Sequence, residues 1–239
     1  MRAHNLRPAI PVALAWALAL PPPLAAQAYQ CRVPQALSVP VVRPDGPARR
    51  VPVTGYTLAL SWAPEYCKGR ESRSGDAMQC SGRNGQFGLV VHGLWPEGRG
   101  TWPQWCTASR PLPAAEARRN MCMMPSARMQ AAEWAKHGTC MVRRPETYFR
   151  VTRILWDSLR LPDLDRLSKE QGLTAGMLRD RWAYANPDWP RDAVGVKLNE
   201  RGWLQELRLC YDRHFLPKSC DGRRLGSRDT APMKIWRGL

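Results

Sequence analysis

The chain has 239 residues and carries 36 Lys plus Arg against 20 Asp plus Glu, a net charge of +16. That length holds one substantial core or two small ones. So strong a positive excess points to a polyanionic partner (nucleic acid, anionic lipid or acidic glycan), and no segment is long and apolar enough to span a membrane.

In chain order, residues 1–28 read as a secretion signal. Arg2 and Arg7 precede the apolar run "AIPVALAWALAL", and "AQA" at 26–28 is a small-x-small cleavage site. The expected mature protein is therefore soluble and exported, periplasmic or secreted. All eight cysteines follow this leader: Cys31, Cys67, Cys80, Cys106, Cys122, Cys140, Cys210 and Cys220. An even number in an exported chain predicts four disulfides, and spacing leaves the pairing open. No C-x-x-C occurs, which argues against a zinc knuckle or a thioredoxin-like motif.

Residues 29–54, with Pro34, Pro40, Pro44, Pro47 and Pro52, predict an extended arm pinned at Cys31. "GYTLALSW" (55–62) predicts a strand and 63–85 a polar loop. The apolar run "QFGLVVHGLW" (86–95) predicts a buried central strand ending at His92-Gly93. Residues 96–125 are too rich in chain breakers to predict regular structure. A helix over 126–137 should stop at Gly138. A second should start near Pro145, with Tyr148, Thr152, Leu155 and Leu159 on one face, and Thr174 should cap a third running to Ala185. "VGVKLN" and "WLQELRLCYD" predict late strands. The irregular interleaving predicts an α+β fold in a single domain.

Three histidines follow the leader: His92, His137 and His214. His92 sits in "VVHGLWPEG", where a strand carries an imidazole to Trp95 and Pro96. "EWAKHG" sets Glu133, Lys136 and His137 on one helical stripe. Alone, the first is more often a structural histidine and the second more often a solvated face. Together they suit cleavage of RNA, whose 2′-hydroxyl is an internal nucleophile. One imidazole takes its proton, the other protonates the departing 5′-oxygen, and a cation steadies the charge between. Glu133 and the helix C-terminus should raise the pKa of His137 and Lys136 should lower it, so a bell-shaped pH dependence is the expectation. A metal site built from His92, Glu133 and His137 is the competing arrangement, opposed by the charge of Lys136.

"VHGLWPEG" and "EWAKHGTC" resemble the two active-site segments of the ribonuclease T2 family, in its bacterial periplasmic ribonuclease I branch. "YTLALSWAPEYC", "CTASRPLPAAEARRNMC" and "LQELRLCYD" extend the likeness over 56–220. The resemblance implies a mostly antiparallel central sheet packed with helices, a catalytic domain over 55–239, and disulfides Cys106–Cys140 and Cys210–Cys220. It also implies a monomeric endoribonuclease of low base specificity, with no cofactor or metal, acting on single-stranded RNA through a 2′,3′-cyclic phosphate to 3′-phosphate ends. His92 would be the general acid and His137 the general base. Glu133 and Lys136 would act on the phosphate, Trp95 would stack a base and Glu97 would meet a base edge. Many relatives carry a further histidine where this chain has Ala132, so arginines would have to supply that phosphate contact. The alternative is a catalytically weak, basic RNA- or polyanion-binding protein on the same fold. His214 reads as structural or solvent-facing.

Overall fold

The computed structural model describes residues 28–107 and 110–238, so the expected leader lies outside it except for Ala28. Six strands occur among these residues: β1 (Ala28–Tyr29), β2 (Gly55–Trp62), β3 (Gln86–Phe87), β4 (Leu89–Glu97), β5 (Val194–Leu198) and β6 (Leu204–Tyr211). Strands β1 and β3 form a small pair. The other four make one antiparallel sheet in the order β4-β2-β6-β5. The helices are α1 (Ala63–Cys67), α2 (Ala77–Cys80), α3 (Ala114–Asn120), α4 (Ala127–Lys136), α5 (Pro145–Asp157), α6 (Leu164–Leu167), α7 (Ala175–Ala185) and α8 (Gly222–Leu225). The fold is α+β, with one main antiparallel sheet, helices and four disulfides.

Period-2 alternation gives the sheet two unlike faces. Leu58, Leu94, Leu209 and Val194 lie in register across all four strands, as do Leu60, Val91, Leu207 and Val196. These eight side chains are completely buried and form one core with Trp134, Tyr148, Phe149 and Leu178 from the helices. The opposite face carries Thr57, Trp95, Glu206 and Arg208, and it is there that the polar groups gather. The outer edge of β4 is closed: Met123 accepts from Val91 N, and the Tyr148 hydroxyl donates to Leu94 O and accepts from Leu94 N.

Three expectations need correction. The strand of His92 does not stop at His92-Gly93. It continues to Glu97 by means of a one-residue bulge, because Ala59 pairs with Gly93 and Leu60 with Val91 while His92 has no partner. The region 63–85 is not all loop, since the Cys67–Cys80 bond closes α1 and α2 into a helical unit. Nor does the stretch after Glu97 lack regular structure. "AAEARRN" is strong helix-forming sequence once Pro113 sets its entry, and α3 forms there. Helix α5 buries Tyr148, Thr152 and Leu155 with Leu159 just beyond it. Thr174 caps α7 by accepting from Met177 N.

Residues 30–54 hold no helix or strand beyond a single bridge at Arg49, and the segment is tied at several points. Cys31 bonds Cys122, Arg32 N donates to Asn84 O, Arg49 pairs with Gln104 through both backbone groups, and Thr54 N donates to Glu97 O. The remaining disulfides are Cys106–Cys140 and Cys210–Cys220, the pairings the family likeness implies. No helix among the described residues is long and apolar enough to cross a membrane.

Candidate active site

The bulge in β4 determines which way His92 points. A bulge places two successive residues on one face of the sheet. Gly93 and His92 therefore share the polar face with Trp95, while Val91 and Leu94 keep the core. The absent side chain of Gly93 is equally specific: a Cβ there would fall inside the Glu133 carboxylate and against the Trp95 indole nitrogen. Glycine at this position lets α4 lay Glu133 directly on the sheet.

Helix α4 begins at Ser126, whose hydroxyl accepts from Met129 N, and ends at Lys136. Gly138 does not end it by adopting a left-handed conformation. The chain tightens into a short 3-10 turn over Gly138–Cys140, and glycine is required because a Cβ would meet the Trp134 ring. The Cys106–Cys140 bond and the Trp105 N to Lys136 O hydrogen bond, 2.8 Å, fasten this corner to the loop that follows β4.

The predicted residues converge. Trp95 packs against both imidazoles, its ring centroid 5.2 Å from that of His92 and 5.9 Å from that of His137. Its indole N–H donates to Glu133 at 2.7 Å, and the other Glu133 oxygen lies 3.8 Å from His92 Nε2. Glu97 is on the same side, accepting from Thr57 Oγ1 at 2.7 Å and pairing with Arg224. Trp95, Glu97, Lys136 and His137 line a cleft of about 360 Å3 with Arg208, Arg223 and Arg224. His214 lies apart, exposed in the turn after β6.

Sequence reasoning missed Glu206. Its carboxylate is 2.9 Å from His92 Nδ1 and also accepts from Arg208 Nε at 2.9 Å. The signal was present in "LQELRLC": Glu206 and Arg208 alternate with Leu207 and Leu209, so a central strand must bury an acid and a base on its non-core face. The arginines closing the cleft were also unassigned. Arg223 and Arg224 stand on α8, which lies directly on the sheet because a Cβ at Gly195 would occupy the Arg224 carbonyl. From the arm, Asp45 accepts from Lys136 Nζ at 2.8 Å and from Trp105 Nε1 at 3.1 Å, and the lysine holds its carboxyl below the ordinary range.

These surroundings pull the two histidines apart. Burial opposes protonation of His92, but the Glu206 hydrogen bond and the Glu133 charge outweigh it and raise its pKa above 6.5. His137 goes the other way, down to about 3, through burial first and then the charges of Lys136 and His92. The expected lift from Glu133 is absent because that carboxylate is turned to Trp95 and His92. Burial in turn raises the pKa of Glu133. His137 Nδ1 is buried with no hydrogen-bond partner. At neutral pH the site thus pairs an imidazole that favours its proton with one that lacks it. Among the described residues, no group of three or more His, Cys, Asp or Glu side chains is arranged to hold a metal ion.

Fold and site together define a disulfide-stapled α+β protein in which a strand histidine and a helix-end histidine, oppositely tuned, both pack against Trp95 beside a basic cleft. Residues 54–176, just over half the chain, match the model of the ribonuclease T2 family. The chain belongs to that family. It is 30% identical over 190 residues to a probable ribonuclease of Haemophilus influenzae, covering 74% of this chain and 65% of the relative. To ribonuclease I of Escherichia coli K12 it is 28% identical over 197 residues, covering 64% and 73%. Thus it spans about two thirds of the first relative's length. Two solved structures share the fold. An RNase-related protein from Calystegia sepium aligns with TM-score 0.58 and 21% identity, covering 76% of this chain and 98% of that one. The SF11-RNase of Nicotiana alata aligns with TM-score 0.58 and 16% identity, covering 78% and 100%.

Proposed function

We propose that the protein is an exported, metal-independent endoribonuclease that cleaves single-stranded RNA with low base specificity, through a 2′,3′-cyclic phosphate, to 3′-phosphate ends. The observation that carries this reading is the opposite tuning of His92 and His137, two imidazoles that both pack against Trp95. Neutral His137 takes the 2′-hydroxyl proton, O2′ bonds to phosphorus, and the 5′-oxygen departs with the proton of His92. Water then opens the cyclic ester with the two roles exchanged. Glu206 orients His92 and keeps it charged. Lys136, Arg208, Arg223 and Arg224 balance the charge on the phosphorane, which compensates for Ala132. Trp95 stacks a base, and Glu97 offers an acceptor to its edge.

The deciding experiment is digestion of a mixed-sequence RNA in excess chelator. Products should end in 2′,3′-cyclic and then 3′-phosphates, and 2′-deoxy strands should survive intact. Cleavage of DNA at a comparable rate would refute the internal-nucleophile mechanism. The Lys136–Asp45 pair favours the weakly catalytic RNA-binding alternative, because the lysine is already neutralised, as Arg224 is by Glu97 and Arg208 by Glu206. Tight binding without cleavage in the same assay would select it.

The pH dependence has a definite sign. A base must be deprotonated, so the rate rises with pH through the depressed pKa of His137. An acid must be protonated, so it falls through the raised pKa of His92. The kcat/KM profile of the free enzyme should therefore be a broad bell, its acid limb well below 6.5 and its alkaline limb above. Glu206→Gln removes a stabiliser of charged His92 and should move the alkaline limb down while leaving the acid limb in place. Movement of the acid limb alone would reverse the assignment.

A further inference from the structure

A second groove opens on the other side of His92. Its volume is about 510 Å3, and it passes from His92 and Glu206 along Lys197, Arg201, Arg70 and Lys68. Arg201 also lines a hollow of about 950 Å3 that carries Trp203, Lys234, Trp236 and Arg237. Lys68 connects the two, its ammonium 4.5 Å from the Trp236 ring centre and 5.5 Å from that of Trp203. Lys234 lies 5.0 Å from the Trp203 ring, and the two indoles meet edge to face at 6.0 Å.

This surface is built rather than incidental. The segment bearing Lys234 and Trp236 is fixed by Leu204 N donating to Lys234 O, Lys234 N donating to Gly202 O, and the Trp62 indole donating to Trp236 O. Lys68, Lys197, Arg201, Lys234 and Arg237 are exposed, and none is salt-bridged to a carboxylate among the described residues. The acids nearby are otherwise engaged: Glu206 by His92 and Arg208, Glu170 by Arg181, and one Glu65 oxygen by Asn199. The other Glu65 oxygen is buried away from the groove and has no hydrogen-bond partner. Unpaired cations interleaved with indole faces are what single-stranded nucleic acid requires: charge for the backbone and platforms for bases.

We propose that this channel binds the RNA strand on the 3′ side of the scissile phosphate. Its phosphates follow Lys197, Arg201, Lys68 and Lys234, and its bases stack at Trp203 and Trp236. The polarity rests on the reaction proposed above. His137 serves the upstream 2′-hydroxyl beside Trp95, whereas His92 gives its proton to the 5′-oxygen of the downstream nucleotide, and the channel begins at His92. A base taking an indole face frees the lysine there for the adjacent phosphate.

The test uses 2′-deoxy strands holding a single ribonucleotide, which fixes one cleavable position. Extending such a strand 3′ of that position should lower KM about 10-fold, the scale of one base–aromatic stack, and extending it 5′ should do far less. Lys68→Gln/Lys234→Gln should abolish the gain from 3′ extension and reduce the log–log salt dependence by about 0.7 per lysine. Trp236→Ala should abolish the gain with less change in salt dependence. Cleavage of a dinucleoside phosphate, whose one downstream nucleoside ends near His92 and is too short to reach Lys68, Lys234 or Trp236, should stay at the parental rate, which also reports that each variant is folded. Equal gains from 3′ and 5′ extension, or variants that keep the 3′ gain, overturn the proposal. If the parent protein cleaves nothing, the reaction reading fails. Anisotropy of an all-deoxy strand then decides the channel, which is rejected if the lysine variant binds as tightly as the parent.

Discussion

His92→Ala and His137→Ala should each slow RNA cleavage at least about 100-fold, the low end for a lost general acid or base. The double variant should be little worse than the poorer single one, since the two imidazoles act as one unit. The roles separate on a substrate with a good leaving group. An aryl 3′-phosphodiester departs without protonation, so it should rescue His92→Ala far more than His137→Ala. The geometry sharpens this expectation: His92 is held by Glu206 and Glu133 in the form that donates, and His137 has no carboxylate on its buried nitrogen to make it cationic. Equal rescue would mean that neither imidazole is a dedicated acid. Stronger rescue of His137→Ala would mean the roles are exchanged.

Much of this site was legible because chemistry and chain position coincide. Two segments each bring an imidazole beside an aromatic or acidic residue, and ordinary periodicity puts one on a strand and the other on a helix. The same periodicity gave β2, β5 and β6, and Pro145 and Thr174 marked two helix starts. What was not legible depends on pairing between distant segments. The bulge at His92 is a mismatch between β4 and β2, and neither strand reveals it alone. The direction of the Glu133 carboxylate depends on the cavity above Gly93. A helix read by itself gives that charge to His137, whereas the fold gives it to His92 and Trp95, and burial with Lys136 is left to lower the pKa of His137. Asp45 reaches Lys136 only because the arm is fastened at Arg49 and Gln104.

Arg179→Met should cost about 3–5 kcal/mol of stability, the scale for breaking a buried charge network by removing one partner. Arg179 is 1% exposed on α7. Its guanidinium donates to the carbonyls of Val194, Leu225 and Ser227 at 2.8, 2.8 and 2.7 Å and to Asp229 at 2.5 Å. Methionine fills much of the volume but strands three carbonyls, each costing about 1–3 kcal/mol without a donor. Relief from burying the guanidinium offsets part of that, and Asp229, half exposed and still bonded to Arg191, offsets a little more. Against a total stability of about 5–15 kcal/mol, the variant should remain folded with its disulfides intact and unfold at clearly lower urea. The loss also has a functional direction. Arg179 anchors the chain just after α8, whose Arg223 and Arg224 close the cleft over Gly195. Loosening that segment should lower kcat/KM for RNA, because in the proposed reaction these arginines balance the charge on the phosphorane while the histidines stay on β4 and α4. A stability change below about 1 kcal/mol would show that the network is replaceable. An unchanged kcat/KM in a clearly destabilised variant would show that the arginine wall does not meet the substrate.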